Sequence, residues 1–249
     1  MRPPETTRAA PPTGAAGPHD PDRPDAAPGD FYDDLVTGLA RARGELPADE
    51  ATFFNRPMGE PELVEWLCFQ AWYEQQAAIF IGGWLARTPE DDAFTLLARQ
   101  VRDEARHYQL LMRALARRGV SSLDRWRPEP EWQEWVVGWY PSGDDTLERV
   151  AAHNITGEIG ARDAMLAVSP RLPADVAGAV ARILPDEEFH LRLGATVVRR
   201  YCVTDDARLR VTARVRRTFE LEQAGRAAYN RRMARLGLAD DNRPAPPLG

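Results

Sequence analysis

The sequence predicts an all-α fold, and three observations carry that prediction. From residue 31 to residue 240 almost every window repeats its apolar residues with helical rather than alternating periodicity, and strand-like runs of Val, Ile and Thr are absent. Start and stop signals cut this stretch into long segments. Two Glu-x-x-His motifs, Glu104–His107 and Glu187–His190, each follow another glutamate in an apolar stretch, Glu74 and Glu158, by 30 and 29 residues. On a helix, residues three apart project from one face, so both motifs have a meaning on helices that they would lack on strands.

The elements follow in order. Residues 1–30 are dominated by Pro, Ala, Gly and Asp, too poor in apolar surface to offset the entropy of ordering, and are expected to form a disordered tail. Residues 31–240 are expected to form one helical domain with a metal-binding core over 60–202, and 241–249 a second flexible tail. A short helix fits 31–43 and long ones fit 60–87, 89–118, 145–168, 173–202 and 205–236. Thr88-Pro89-Glu90-Asp91 supplies a hydroxyl cap, a proline for the first turn and acids behind it, and Gly119 follows Arg117 and Arg118 as a terminator. Ser169-Pro170-Arg171-Leu172-Pro173 marks a second sharp connection. Residues 119–144 are too long for a tight loop and fit one crossover along the helices. Trp126, Trp132, Trp135, Trp139 and Tyr140 there read as aromatics that press the crossover onto the core, or as a lid or interface.

Composition narrows the class. A net charge of -6 argues against a nucleic-acid partner, since phosphates call for a basic face. Cys68 and Cys202 form no redox or metal motif, which fits buried packing residues in a reduced compartment. With no apolar window of 18 residues and no charged-then-apolar start, the expectation is a soluble, cytoplasmic protein without a membrane span.

The turns test the metal reading independently of motif recognition. In an antiparallel helical hairpin, residues equidistant from the turn lie level. The midpoint of Glu74 and Glu104 is Pro89, and that of Glu158 and Glu187 falls between Leu172 and Pro173, both in turns. Each single glutamate is therefore level with its Glu-x-x-His partner, roughly 22 Å from the turn at about 1.5 Å per residue. Glu74, Glu104, His107, Glu158, Glu187 and His190 thus form a candidate six-ligand set. Four carboxylates balance two divalent ions, and hard oxygen ligands with one imidazole per metal suit two iron ions (Fe2+/Fe3+) or manganese better than zinc.

The six-ligand pattern resembles the ferritin-like di-iron carboxylate superfamily over roughly residues 60–202, and Asp103-Glu104-Ala105-Arg106-His107 matches the Asp-Glu-x-Arg-His motif of bacterial di-iron monooxygenases. The second copy, Asp186-Glu187-Glu188-Phe189-His190, keeps the Asp and lacks the Arg. The resemblance implies a ferritin-like four-helix bundle with one long crossover and flanking helices. It also implies that Asp103 supports His190 and Asp186 supports His107, with Arg106 beside them. In spacing the chain is similar to the phenylacetyl-CoA and benzoyl-CoA epoxidase oxygenase subunits. The implied activity is a non-haem di-iron oxygenase that uses dioxygen to hydroxylate, epoxidise or otherwise oxidise a small organic, or thioester-linked, substrate. No flavin, nicotinamide or iron-sulfur motif is visible, so an external electron donor, a ferredoxin or a reductase, is implied. A homodimer or a sister subunit stays open.

Other readings of the same superfamily compete. A ribonucleotide-reductase-like radical subunit needs a tyrosine one turn beyond His107, where this chain has Leu111. Ferritin- or rubrerythrin-like iron storage or peroxide detoxification remains, as does a ferritin-like tRNA-base hydroxylase. The last is kept alive by Arg208, Arg210, Arg214, Arg216 and Arg217, which otherwise read as a solvated helix face. Ala71, Ala77, Ala78, Gly157, Gly160 and Ala161 leave room for substrate or serve close packing. Pro185 should kink its helix two residues before Glu187. His153, five residues before Glu158, is expected on another helix face, and His19 in the tail.

Overall fold

The computed structural model describes residues 30–46 and 58–238. The tails expected over 1–30 and 241–249, with His19, lie outside the described residues except for Asp30, which belongs to the start of the first helix. Those described are helical and contain no strand. The helices are α1 (Phe31–Gly44), α2 (Glu60–Leu85), α3 (Asp91–Ala116), α4 (Thr146–Val150), α5 (Glu158–Val168), α6 (Ala174–Tyr201) and α7 (Asp205–Arg235). No helix among them is long and apolar enough to cross a membrane.

Local chemistry sets most ends. Asp30, Asp145 and Thr204 accept hydrogen bonds from backbone N–H groups three residues on and so cap α1, α4 and α7. Gly119, at φ +79°, takes the left-handed conformation that ends α3. One expected cap differs. Helix α3 starts at Asp91 with Glu90 at its N-cap, while the Thr88 hydroxyl donates backwards to the Trp84 carbonyl at 3.0 Å and belongs to the end of α2.

The larger difference lies between 145 and 168, where one unbroken α-helix was expected. Ala151–Gly157 is a π-helix between α4 and α5, and the Glu158 N–H bonds back to the His153 carbonyl, five residues earlier. π turns inside α-helices are frequent at functional sites. Apolar periodicity does not reveal this one because all seven of its residues are buried.

Helix α2 is the centre of the core, with Leu63, Trp66, Leu67, Ala71, Ala77, Ile81 and Trp84 almost wholly buried. It packs along α3, α3 packs on α6, and α6 packs on α5 and the π segment. The crossover contains a second π segment, Gln133–Trp139, and lies across α2 and α7. Three of its four indoles are tied down: Trp132 donates to the Gly225 carbonyl at 2.8 Å, Trp139 to the Thr218 hydroxyl at 2.8 Å, and Trp126 to Glu65 at 3.0 Å. A smaller cluster, including Leu39, Ile155, Val198 and Val211, fixes α1 and α7 against the π segment and α6. Both cysteines are free and buried.

The arginine-rich face of α7 is only partly solvated. Arg214 is buried, with its guanidinium 3.6 Å from the Trp139 ring centre and donating to the Trp139 carbonyl. Arg210 pairs with Asp145, Glu148 and Asp206, and Arg217 with Glu134 and Glu220.

Candidate metal centre

Six side chains from four helices converge in the interior: Glu74 from α2, Glu104 and His107 from α3, Glu158 from α5, and Glu187 and His190 from α6. Each is at most 3% exposed. They form two overlapping groups, Glu74–Glu104–His107–Glu187 and Glu104–Glu158–His190, whose donor atoms lie within 4.8 Å of one another.

The distances assign a different part to each carboxylate. Nδ1 of His107 lies 3.3 Å from Glu74, 3.4 Å from Oε2 of Glu104 and 3.4 Å from Oε1 of Glu187. Nδ1 of His190 lies 3.5 Å from Oε1 of Glu104, 3.3 Å from Glu158 and 3.7 Å from Oε2 of Glu187. Glu104 and Glu187 therefore turn one oxygen toward each histidine and span both halves. Glu74 serves only the His107 half, and Glu158 only the His190 half.

The donor set fits a pair of divalent ions. Both Nδ1 atoms face inward among carboxylate oxygens, and the nitrogens of His190 have no hydrogen-bond partner despite full burial. Unpaired buried polar atoms are costly, and a cation between the carboxylates is the partner this chemistry calls for.

Without a cation, protons bind the cluster together. Burial, then the neighbouring carboxylates Glu104 and Glu187, push the Glu74 carboxyl well up; burial and Glu187 do the same to Glu158. Burial opposes charge on His107, but its hydrogen bonds to Glu104 and Glu74 outweigh that and push it up to about 12. Burial opposes charge on His190 too, and the negative charges of Glu104 and Glu158 outweigh it and raise it well above the usual imidazole range. Glu104 and Glu187 move down, because the imidazolium partners overcome desolvation. Two imidazoliums then balance two carboxylates while two acids stay neutral.

The groups behind the histidines are unequal. Asp186 lies 3.1 Å from Nε2 of His107 and is gripped by Arg106, which also donates to the Arg182 carbonyl at 3.1 Å, beside Pro185 in the continuous helix α6. Burial opposes ionisation of Asp186, and the bonds from His107 and Arg106 more than reverse it. Asp103, expected on His190, is 4.0 Å from Nε2, beyond hydrogen-bond reach. It is held instead by Arg99 and Arg102 of its own helix. Phe189 stands where the second motif lacks its arginine, and the Arg99 guanidinium lies 3.6 Å from its ring centre, so an arginine from α3 fills part of that gap.

Two participants escaped the motif reading. Gln100, one turn before Glu104, donates from its amide nitrogen to Glu104 at 2.9 Å and Glu158 at 2.6 Å, and accepts from Asn154 at 2.8 Å. The i,i+4 spacing to Glu104 was its only signal. His153 is the second, and its expected position on another face is corrected. It is fully buried, with Nδ1 3.4 Å from Glu158, because the i→i+5 bonding of the π-helix brings residues five apart onto the same side. It sits among Tyr73, Phe80, Trp84 and Tyr140; burial depresses it to about 4, so the ring is neutral.

No protein-family model matches the chain, and no curated protein matches it.

Between α2, α5, α7 and the crossover lies a cavity of about 70 Å³ whose walls include the sequence neighbours of Glu74 and Glu158 but none of the six candidate ligands. Tyr73, Trp132, Trp135, Gly157, Gly160 and Ala161 are among its walls. Ala71, Ala77 and Ala78 do not line it. Leu111, where a radical subunit would carry tyrosine, is fully buried.

Proposed function

We propose that this chain is a ferritin-like four-helix-bundle oxidoreductase that holds two iron ions and uses dioxygen to oxidise a small organic substrate. The observation that carries the reading is the division of labour among the carboxylates: Glu104 and Glu187 each face both histidines, while Glu74 and Glu158 each face one. Such a set suits two ions held close together with one imidazole apiece, and hard oxygen donors favour iron or manganese. Bound iron supplies the redox change that dioxygen reduction requires.

The protein's own share is orientation, exclusion of water and handling of protons. Asp186 fixes the His107 ring so that Nδ1 faces inward, and Gln100 orients Glu104 and Glu158 from the other side. Glu74 and Glu158 hold protons that leave when cations enter. The aromatic walls beside Glu158 keep the substrate side apolar. At about 70 Å³ the cavity is roughly half of one that takes up benzene, so it receives the reacting end of a small molecule and must widen for a ring. Electrons come from a separate donor such as a ferredoxin or reductase.

Anaerobic loading with Fe(II), followed by metal analysis and Mössbauer spectroscopy, tests the reading. Two irons per chain in a coupled pair, reacting with dioxygen faster when a substrate is present, are expected. Retention of many irons per chain points to storage instead. Unchanged loading of Glu104→Ala or His190→Ala defeats the site itself.

A further inference from the structure

Helix α1 and helix α7 lie outside the Glu/His cluster, yet one partly buried ion pair from them reaches the segment that leads into Glu158. Arg43 of α1 donates to both oxygens of Glu222 on α7, at 2.9 and 2.6 Å, and to the Thr156 carbonyl in the last turn of the π segment at 3.0 Å. Glu222, 2% exposed, also accepts from Arg226 at 2.7 Å. The fork shape of a guanidinium allows this three-point grip, which an ammonium cannot copy. Gly160 makes it sterically possible: a Cβ there would meet Glu222 Oε1 at 2.5 Å and the Arg43 guanidinium nitrogens at 3.0 and 3.1 Å.

The π segment needs such a clamp. If its extra residue were wound back into the α-helical register, Glu158 would swing about 100° around the helix axis, away from Glu104 and His190. His153, which shares the Glu158 face only through the i→i+5 turn, would leave with it. Gly194 of α6 accommodates the wide segment from the opposite side, where a Cβ would come within 2.9 Å of the Asn154 carbonyl oxygen.

We infer that Arg43 and Glu222 are positioning residues that lock the π-helical register and so set Glu158 for the His190 half of the metal centre. The inference rests on the metal reading above and adds to it a role for two helices with no ligand of their own. Helix α1 acts on the centre through the Thr156 carbonyl, not by contact with a metal-binding group.

The test is titration of the full-length, metal-free chain with Co(II), followed by visible absorption and calorimetry. Glu74→Gln and Glu158→Gln assign the binding steps to the two halves. Arg43→Gln is expected to weaken the His190-half step by about tenfold while the His107-half step stays within about twofold, the scale of loss typical when support for a ligand is removed. Arg43→Lys should fall between. Gly160→Ala improves helix propensity while wedging the grip apart, so it folds where Arg43→Gln does not and should show the same selective loss. Arg232→Gln, which loosens α7 at its other end from Glu65 and Glu129, is the control and should move neither step. Equal losses at both steps, or a selective loss in Arg232→Gln as well, overturn the lock. A wild-type chain that binds no Co(II) overturns the metal reading and the lock with it.

Discussion

The two halves of the cluster are built from the same motif and held differently. The His107 half has Glu74, Glu104 and Glu187 within 3.4 Å of the imidazole, and Asp186 and Arg106 behind it, on unbroken α-helices. The His190 half has Glu158 and Glu104 close, Glu187 at 3.7 Å and Asp103 out of reach, and its single glutamate follows a π segment. Where the first half has charged groups the second has amides and a neutral imidazole: Gln100, Asn154 and His153. The same motif is thus backed by a charged pair, Asp186 and Arg106, on one side and by neutral polar groups on the other. The cavity lies on the Glu158 side, beside Gly157 and Gly160.

Substitutions should separate the halves. Glu104→Gln removes a group common to both and should lower metal affinity at both steps by more than about 100-fold, beyond the loss from a group that only supports a ligand; calorimetric titration reads this directly. Wild-type binding of two divalent ions should release about four protons at neutral pH, two from His107 and His190 and two from Glu74 and Glu158, measured as the dependence of binding heat on buffer ionisation. The sign follows: metal competes with protons, so affinity rises with pH, and a pH-independent affinity would falsify the proton-held cluster. Asp186→Asn should weaken the His107 step about tenfold, whereas Asp103→Asn should change the His190 step by less than about twofold because Asp103 does not reach that ring. Smallest is His153→Phe, which removes a buried polar group without a hydrogen bond and should stabilise the metal-free protein by about 1 kcal/mol, seen as a higher denaturation midpoint.

Much of the site was legible because helices are metrically simple. Glu74 and Glu158 stand out by their spacing from the two motifs, the turns set them level with Glu104 and Glu187, and each lies 3.3 Å from the histidine of that motif. His153 escapes the same metric, because 3.6 residues per turn does not hold through a segment that runs at i→i+5. Thr88 has the chemistry of a cap for either helix beside it, and only its hydrogen bond to Trp84 decides which. Arg214 has the charge of a surface residue, and the Trp139 ring that covers it comes from a distant part of the chain.

By itself the sequence determined the helical class, the order of the elements and the level at which the six candidate ligand side chains stand, because the rise of a helix is a local property counted in residues. Only the tertiary structure decided which carboxylates face both histidines, that Asp103 turns to Arg99 and Arg102, that Gln100 and His153 join the cluster, and that Arg43 and Glu222 close on the π segment. Those outcomes depend on helix phase and on contacts between residues far apart in the chain, such as Arg43 and Glu222. No local period records them.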